Sequence, residues 1–306
     1  MEQRELLIIG GGPAGLTAAI YAKRAGLDVL LVEKGSYGGQ ILITSEVENW
    51  PGRQMMSGTD IGKEFHEHAA HLGCEFRKAT VTSIEPGQDA HIVKTSHGDI
   101  AAKAVIIATG AAFRRLGCAG EADLTGAGVS YCAVCDGPFY TDEEVAVIGG
   151  GNTAVEEASY LTRFASKVYI VHRRDEFRAD RVPSERALSN PKIVPVWDSV
   201  VESINGDEMV ESVTVKNVKT GDLKDIPVAG VFVFVGTVPI LGFLGDQLER
   251  VPGNWIKTDS HMQTSIPGIF AAGDVRDTHL RQVVTAAGDG ANAAMAAYHY
   301  ITTGHC

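Results

Sequence analysis

Two residue patterns in this 306-residue chain are suited to chemistry. The first is Cys132-Ala-Val-Cys135, followed at once by Asp136. Two cysteines at this spacing can close a small disulfide ring that takes up two electrons, and an adjacent acid can exchange a proton with the resulting thiol. The spacing also occurs in zinc sites, but zinc needs four ligands, and no second Cys-x-x-Cys or His pair stands at finger spacing. The second pattern is a glycine turn present twice, as Gly10-x-Gly12-x-x-Gly15 and Gly149-x-Gly151-x-x-Ala154. In such a turn the first glycine permits the reversal, the second lets a pyrophosphate approach the main chain, and the third allows a helix to pack closely on a strand.

Each turn needs a strand before it and a helix after it. Leu6 to Gly10 is an apolar run suited to a strand buried on both faces, Leu16 to Lys23 has helical character, and Asp28 to Val32 predicts a second strand ending at Glu33. The second copy reads the same way: strand Val145 to Gly149, helix Val155 to Thr162, strand Lys167 to Val171. One offset of 139 residues carries Gly10 to Gly149, Val29 to Val168 and Glu33 to His172. Two βαβ units in register predict two dinucleotide sites in one chain.

The residue ending the second strand is where such a unit meets the adenosine ribose. Glu33 can accept hydrogen bonds from ribose hydroxyls and would repel a phosphate, so the first site reads as one for FAD. In the second copy His172 is followed by Arg173, Arg174 and Arg178. Their forked, permanently charged guanidiniums suit a 2′-phosphate, so the second site reads as one for NADPH. Ala104 to Gly110 and Gly230 to Gly236 predict strands that close the two units. Gly268 to Asp274 predicts a further strand ending in an acid, and Val284 to Ile301 a helix. Because these last elements follow the second repeat, the expected fold is α/β with two Rossmann-like domains. The FAD-binding domain would be discontinuous, 1–113 and 244–306, with an NADPH-binding domain, 114–243, inserted and carrying the cysteine pair.

Composition narrows the partners. Lys and Arg number 27 against 38 Asp and Glu, so no global basic surface exists to neutralise a nucleic-acid backbone. Of five cysteines, Cys74, Cys118 and Cys306 stand alone, which does not resemble a secreted disulfide framework and suggests the cytoplasm. The uncharged stretches Leu6 to Ala22 and Val228 to Gly245 are interrupted by Gly and Pro and read as buried strands with glycine loops, not as membrane spans or export signals. His66, His68 and His71 read as a solvated helix face and Cys306 as a frayed tail.

From Leu6 to Ile301 the chain resembles the low-molecular-weight bacterial-type thioredoxin reductases. The resemblance rests on Gly10-Gly-Gly-Pro-Ala-Gly15, Gly38-Gly-Gln40, Glu48-Asn49-x-Pro51-Gly52, Ala108-Thr-Gly110 and Cys132-Ala-Val-Cys-Asp-Gly137. It extends through Gly149-Gly-Gly-Asn-Thr-Ala154, His172-Arg-Arg174 with Arg178, Gly273-Asp274 and Arg281-Gln282. It implies a homodimeric enzyme that passes electrons from NADPH through FAD and the cysteine pair to thioredoxin or a thioredoxin-like protein. It implies contacts to FAD from Gly10, Gly12, Pro13, Ala14, Gly15, Glu33, Gly39, Gln40, Asn49 and Val81. Further FAD contacts would come from Ala108, Thr109, Gly110, Gly273, Asp274, Arg281, Gln282 and Val283. NADPH would meet Gly149, Gly151, Asn152, Thr153, Ala154, His172, Arg173, Arg174 and Arg178. Cys135 would lie beside the flavin with Asp136 moving a proton there, and Cys132 would attack the partner disulfide.

Two positions depart from the family pattern. Pro138 takes the first of two places that are often aromatic, before Phe139, and Ile240 follows Pro239 where Asn is frequent. Two rival readings are a flavin or ferredoxin-type reductase on the same scaffold, whose members typically lack the Cys-x-x-Cys, and a non-catalytic flavin-binding redox sensor.

Overall fold

The computed structural model describes residues 1–43, 47 and 49–304, and for Ile43, Val134 and Cys135 the main chain alone. Glu48 and Cys306, both singled out in the sequence, lie outside the described residues. The chain divides into two units, 1–112 with 238–306, and 113–237.

In the first unit, the run Leu6–Ile9 is buried on both faces, as an uninterrupted apolar strand requires. Strand Glu2–Ile9 runs parallel to Val29–Glu33 on one side and to Gly98–Ile107 on the other. Glu75–Lys78 extends the sheet beyond Val29–Glu33. The second edge of Gly98–Ile107 is shared: residues 98–102 pair antiparallel with His91–Thr95, and residues 105–107 pair parallel with Ile269–Ala271. Alternation along the central strand feeds two cores. Leu6 and Ile8 pack with residues of helices Pro13–Arg24 and Val283–Thr303, whereas Leu7 and Ile9 pack with Ile84, Val93, Leu241 and Leu244. The two helices approach closely at Gly290, where a Cβ would collide with the Ala14 carbonyl oxygen.

The second unit has a five-stranded parallel sheet in the order Ile193–Val196, Lys167–Val171, Glu144–Ile148, Gly230–Val233, Val129–Ser130. An antiparallel sheet, Ser199–Asn205, Ser212–Asn217 and Leu223–Pro227, lies in the same unit. Residues 238–243, expected in this unit, belong to the first, because Leu241 is buried in the first unit's core. No helix among the described residues is long and apolar enough to cross a membrane.

Candidate dinucleotide turns and redox centre

Both glycine turns join a strand to a helix, at Ile9 to Pro13 and at Ile148 to Asn152. Their three key positions are constrained differently. Gly10 has φ +109° and Gly149 φ +148°, and a Cβ at either would collide with a main-chain carbonyl, Ala108 or Phe234. A Cβ at Gly15 would strike the Gly10 carbonyl, and Ala154, its counterpart, is buried. The middle glycines are different. Gly12 and Gly151 have ordinary φ values of −80° and −89°, and each occupies the N-cap of its helix without a side-chain hydrogen bond. A Cβ at Gly12 would meet only Gly39 Cα, at 3.9 Å, and one at Gly151 would meet nothing within 4 Å. Protein packing therefore demands the first and third small residues but not the second. The open volume lies at a helix N-terminus, whose free N–H groups and dipole favour an anion.

The residue ending the second strand lies against the same point of each turn. Gly11 donates its N–H to Glu33 Oε2 at 2.7 Å, Gly35 donates to Glu33 Oε1 at 2.7 Å, and a Cβ at Gly11 would sit 3.2 Å from the Glu33 side chain. In the second unit a Cβ at Gly150 would run into the imidazole of His172. The 139-residue repeat therefore extends to a contact at Gly11 and Gly150, positions the glycine fingerprint leaves unspecified. The triple glycine in both copies was the available signal. His172 is 7% exposed, and its Nε2 is buried without a hydrogen-bond partner among the described residues. Burial first, then the charges of Arg174, Arg173 and Arg178, hold its pKa below the ordinary value, so the ring is neutral at pH 7. Arg173, Arg174 and Arg178 are exposed, and no ion pair among the described residues engages them. The Arg178 N–H binds the Gly150 carbonyl at 2.6 Å, fixing that loop to the turn. Asn152 and Asp180 exchange two hydrogen bonds at 2.6 and 2.9 Å. Thr153 is exposed in the first helical turn.

Most of the other residues expected around the first turn fall into two linked groups. Gly39 has φ +64°, and a Cβ there would lie 2.9 Å from Gly12 Cα. Gln40 hydrogen-bonds the Ala111 carbonyl, Thr109 Oγ1 donates to the Ile240 carbonyl at 2.8 Å, and the Ile240 N–H binds the carbonyl of Gly110 at 3.1 Å. Ile240 thus contributes main-chain atoms, which its unusual side chain leaves intact. Asn49 Nδ2 donates to Gln282 Oε1 at 2.9 Å, although 233 residues separate them. Val283 begins the final helix and packs with Ile41, Val47 and Ile61. A Cβ at Gly273, which has φ +76°, would lie 2.9 Å from the Ala14 Cβ, so this turn sits against the first helix. Asp274 follows it. Burial is the main cause raising its pKa to about 6, with Arg281 opposing and Asp289 assisting. Arg281 stacks over Trp255, 3.8 Å from the ring centroid, and its Nε is buried without a partner among the described residues. Val81 packs into the core beside Leu7 and Ile9. His66 departs from the expected solvated helix face, because it stacks on Tyr37 at 4.5 Å and meets Phe76 edge-on, while His68 and His71 are exposed.

The cysteine motif lies in the second unit. Ser130 Oγ donates to the Cys132 carbonyl at 3.2 Å, and the Cys132 N–H binds Ser130 Oγ at 3.1 Å, just before the one-turn helix Ala133–Asp136. Cys132 is in a disulfide, and the side chain of Cys135 lies outside the described residues. Asp136 ends the helical turn, its N–H on the Cys132 carbonyl at 3.2 Å. Burial first, then the nearby Asp136 carboxylate, push the Tyr140 phenol above its ordinary pKa. Pro138 and Phe139 are exposed, Phe139 by 81%.

Known proteins resemble this chain over nearly its whole length. The family model for pyridine nucleotide-disulphide oxidoreductases matches residues 4–290. A thioredoxin reductase of Listeria innocua is 46% identical over 299 residues, covering 97% of this chain and 93% of its own. That of Bacillus subtilis is 42% identical over 304 residues, covering 97% and 94%. The crystal structure of Lactococcus lactis thioredoxin reductase, 46% identical, superposes with a TM-score of 0.82 over 98% of this chain and 99% of its own. On this likeness the chain belongs to the thioredoxin reductases of the pyridine nucleotide-disulphide oxidoreductase family.

Proposed function

We propose that this protein is an NADPH-dependent thioredoxin reductase, with FAD held by the first unit and NADPH by the second. The observation that carries the reading is the presence, in one chain, of two glycine turns left open at Gly12 and Gly151 together with a Cys-x-x-Cys whose first sulfur is in a disulfide. When bound, the flavin would accept a hydride from the nicotinamide and return two electrons to that disulfide.

The chain's own residues supply binding and proton transfer. The free N–H groups beyond Gly12 and Gly151 suit pyrophosphates, and Glu33 suits ribose hydroxyls. The exposed guanidiniums of Arg173, Arg174 and Arg178 suit a 2′-phosphate, while the neutral ring of His172 lies against the turn at Gly150. In the reduced pair, Asp136 exchanges a proton with the Cys135 thiol next to it in sequence. The Cys132 thiolate attacks the partner's disulfide, forming a mixed disulfide and releasing one partner thiolate. Cys135 then attacks the Cys132 sulfur of that bond, restoring the ring and releasing the second partner thiol, so two electrons and two protons leave the enzyme. A homodimer acting in the cytoplasm on a thioredoxin-fold protein completes the reading.

The test is NADPH oxidation coupled to thioredoxin-fold proteins of the same cell. A rate that depends on the protein acceptor and disappears in Cys132→Ser is expected. A rate that survives Cys132→Ser would mark a flavin reductase, and a single turnover without recycling would mark a sensor.

A further inference from the structure

Glu121 is 2% exposed, yet both oxygens of its carboxylate accept hydrogen bonds, three in all. Oε1 accepts the Leu116 N–H at 2.8 Å and the Tyr131 hydroxyl at 2.8 Å, and Oε2 accepts the Gly117 N–H at 2.7 Å. The Tyr131 ring stacks on Phe113, with centroids 5.6 Å apart and planes 18° apart. Burial, then the hydrogen bond to Glu121, push its phenol up to about 12, so the hydroxyl remains a donor throughout the working pH range. Tyr131 immediately precedes Cys132, whose main chain is also tied to Ser130 Oγ. One buried carboxylate therefore joins the opening segment of the second unit to the residue bonded to the redox cysteine. Nothing in the glycine turns or the cysteine motif requires such an acid. An amide could not replace it, because three donors converge on two oxygens and a glutamine NH2 would face one of them.

We propose that Glu121, acting through Tyr131, is a positioning residue that holds the main chain at Cys132 in the conformation that closes the disulfide ring. Ring closure oxidises two thiols. In exchange with glutathione, the enzyme dithiol and oxidised glutathione become the enzyme disulfide and two reduced glutathiones, so electrons and protons balance. The clamp raises the effective concentration of one sulfur beside the other and favours the disulfide. Loss of the Tyr131 hydroxyl frees that segment and shifts the pair toward the dithiol. The inference rests on the reading of Cys132 and Cys135 as the redox pair.

The test equilibrates the flavin-loaded enzyme in glutathione buffers of graded ratio and counts alkylatable cysteines. Tyr131→Phe keeps the ring stack and removes the hydrogen bond to Glu121. It should lower the disulfide-forming equilibrium constant about three- to tenfold, or about 15 to 30 mV for this two-electron couple. Glu121→Gln should shift it in the same direction, and the double variant should match Glu121→Gln alone because both changes cut one clamp. An unchanged constant in folded Tyr131→Phe, or shifts that add in the double variant, would overturn the proposal. The measurement uses neither NADPH nor thioredoxin. A protein that fails the coupled assay but shows the shift loses the proposed function and keeps the clamp.

Discussion

Alanine substitutions at the two ends of one turn should separate folding from nucleotide binding. At Gly151 the φ of −89° suits any residue, and a Cβ meets no protein atom within 4 Å. Replacing glycine by alanine there removes unfolded-chain entropy, which stabilises by about 0.4–1 kcal/mol. It also installs a poorer N-cap, at a cost of similar size. The two offset, and the melting temperature of Gly151→Ala should stay within about 3 °C of the parent. The new methyl occupies the volume kept clear at the helix N-terminus, so a pyrophosphate there must retreat from the free N–H groups. Losing one charge-assisted hydrogen bond costs about 1.5–3 kcal/mol, which weakens NADPH roughly 10- to 100-fold. At Gly149 the outcome reverses. A Cβ would collide with the Phe234 carbonyl, and the backbone has φ +148°, so Gly149→Ala should lose about 2 kcal/mol or more of stability. Scanning calorimetry and NADPH titration of both variants give the four numbers. Parental NADPH affinity in Gly151→Ala would refute the assignment of that open space to a pyrophosphate, whatever happens at Gly149.

Other expectations follow from single contacts. Arg173→Ala and Arg174→Ala should each weaken NADPH roughly 10- to 100-fold and leave NADH little changed; equal losses in steady-state kinetics with the two cofactors would dismiss the 2′-phosphate role. Cys135→Ser should trap a mixed disulfide with thioredoxin through Cys132, visible on a non-reducing gel, and trapping only in Cys132→Ser would exchange the two roles. His91 is 1% exposed, and burial lowers its pKa. The unfolded chain therefore binds the extra proton first, and stability should fall as pH drops through about 6.5. Urea unfolding of the parent and of His91→Gln at pH 8 and pH 5.5 measures this, and an equal loss in both would assign the pH dependence elsewhere.

Local geometry explains which parts of this protein were legible in its sequence. The strand, turn and helix around Gly10 and Gly149 follow from short-range rules about φ, close approach and apolar runs, and the observed helices merely begin a few residues earlier, at Pro13 and Asn152. The strands Val81–Glu85 and His91–Thr95, and the sheet of Ser199–Asn205, Ser212–Asn217 and Leu223–Pro227, escaped because their half-exposed alternation is weak and short. The bond between Asn49 and Gln282 joins residues that no periodicity relates, and only resemblance brought them together. Glu121 carried no signal at all. Its partners at 116, 117 and 131 are main-chain atoms and a phenol, which any buried acid could have found.

The first unit's sheet and helical layer draw on both ends of the chain, with a consequence for synthesis. Strand Gly98–Ile107 leaves the ribosome long before its parallel neighbour Ile269–Ala271, and helix Pro13–Arg24 long before Val283–Thr303 covers it. The second unit has no such dependence, since residues 113–237 contain its whole parallel sheet. During translation the inserted unit can therefore mature first, while the half-built sheet of the first unit presents an unpaired strand edge and an uncovered apolar helix face. Ile269–Ala271 and Val283–Thr303 act as a closing clasp, and the exposed strand edge and helix face should disappear when they emerge.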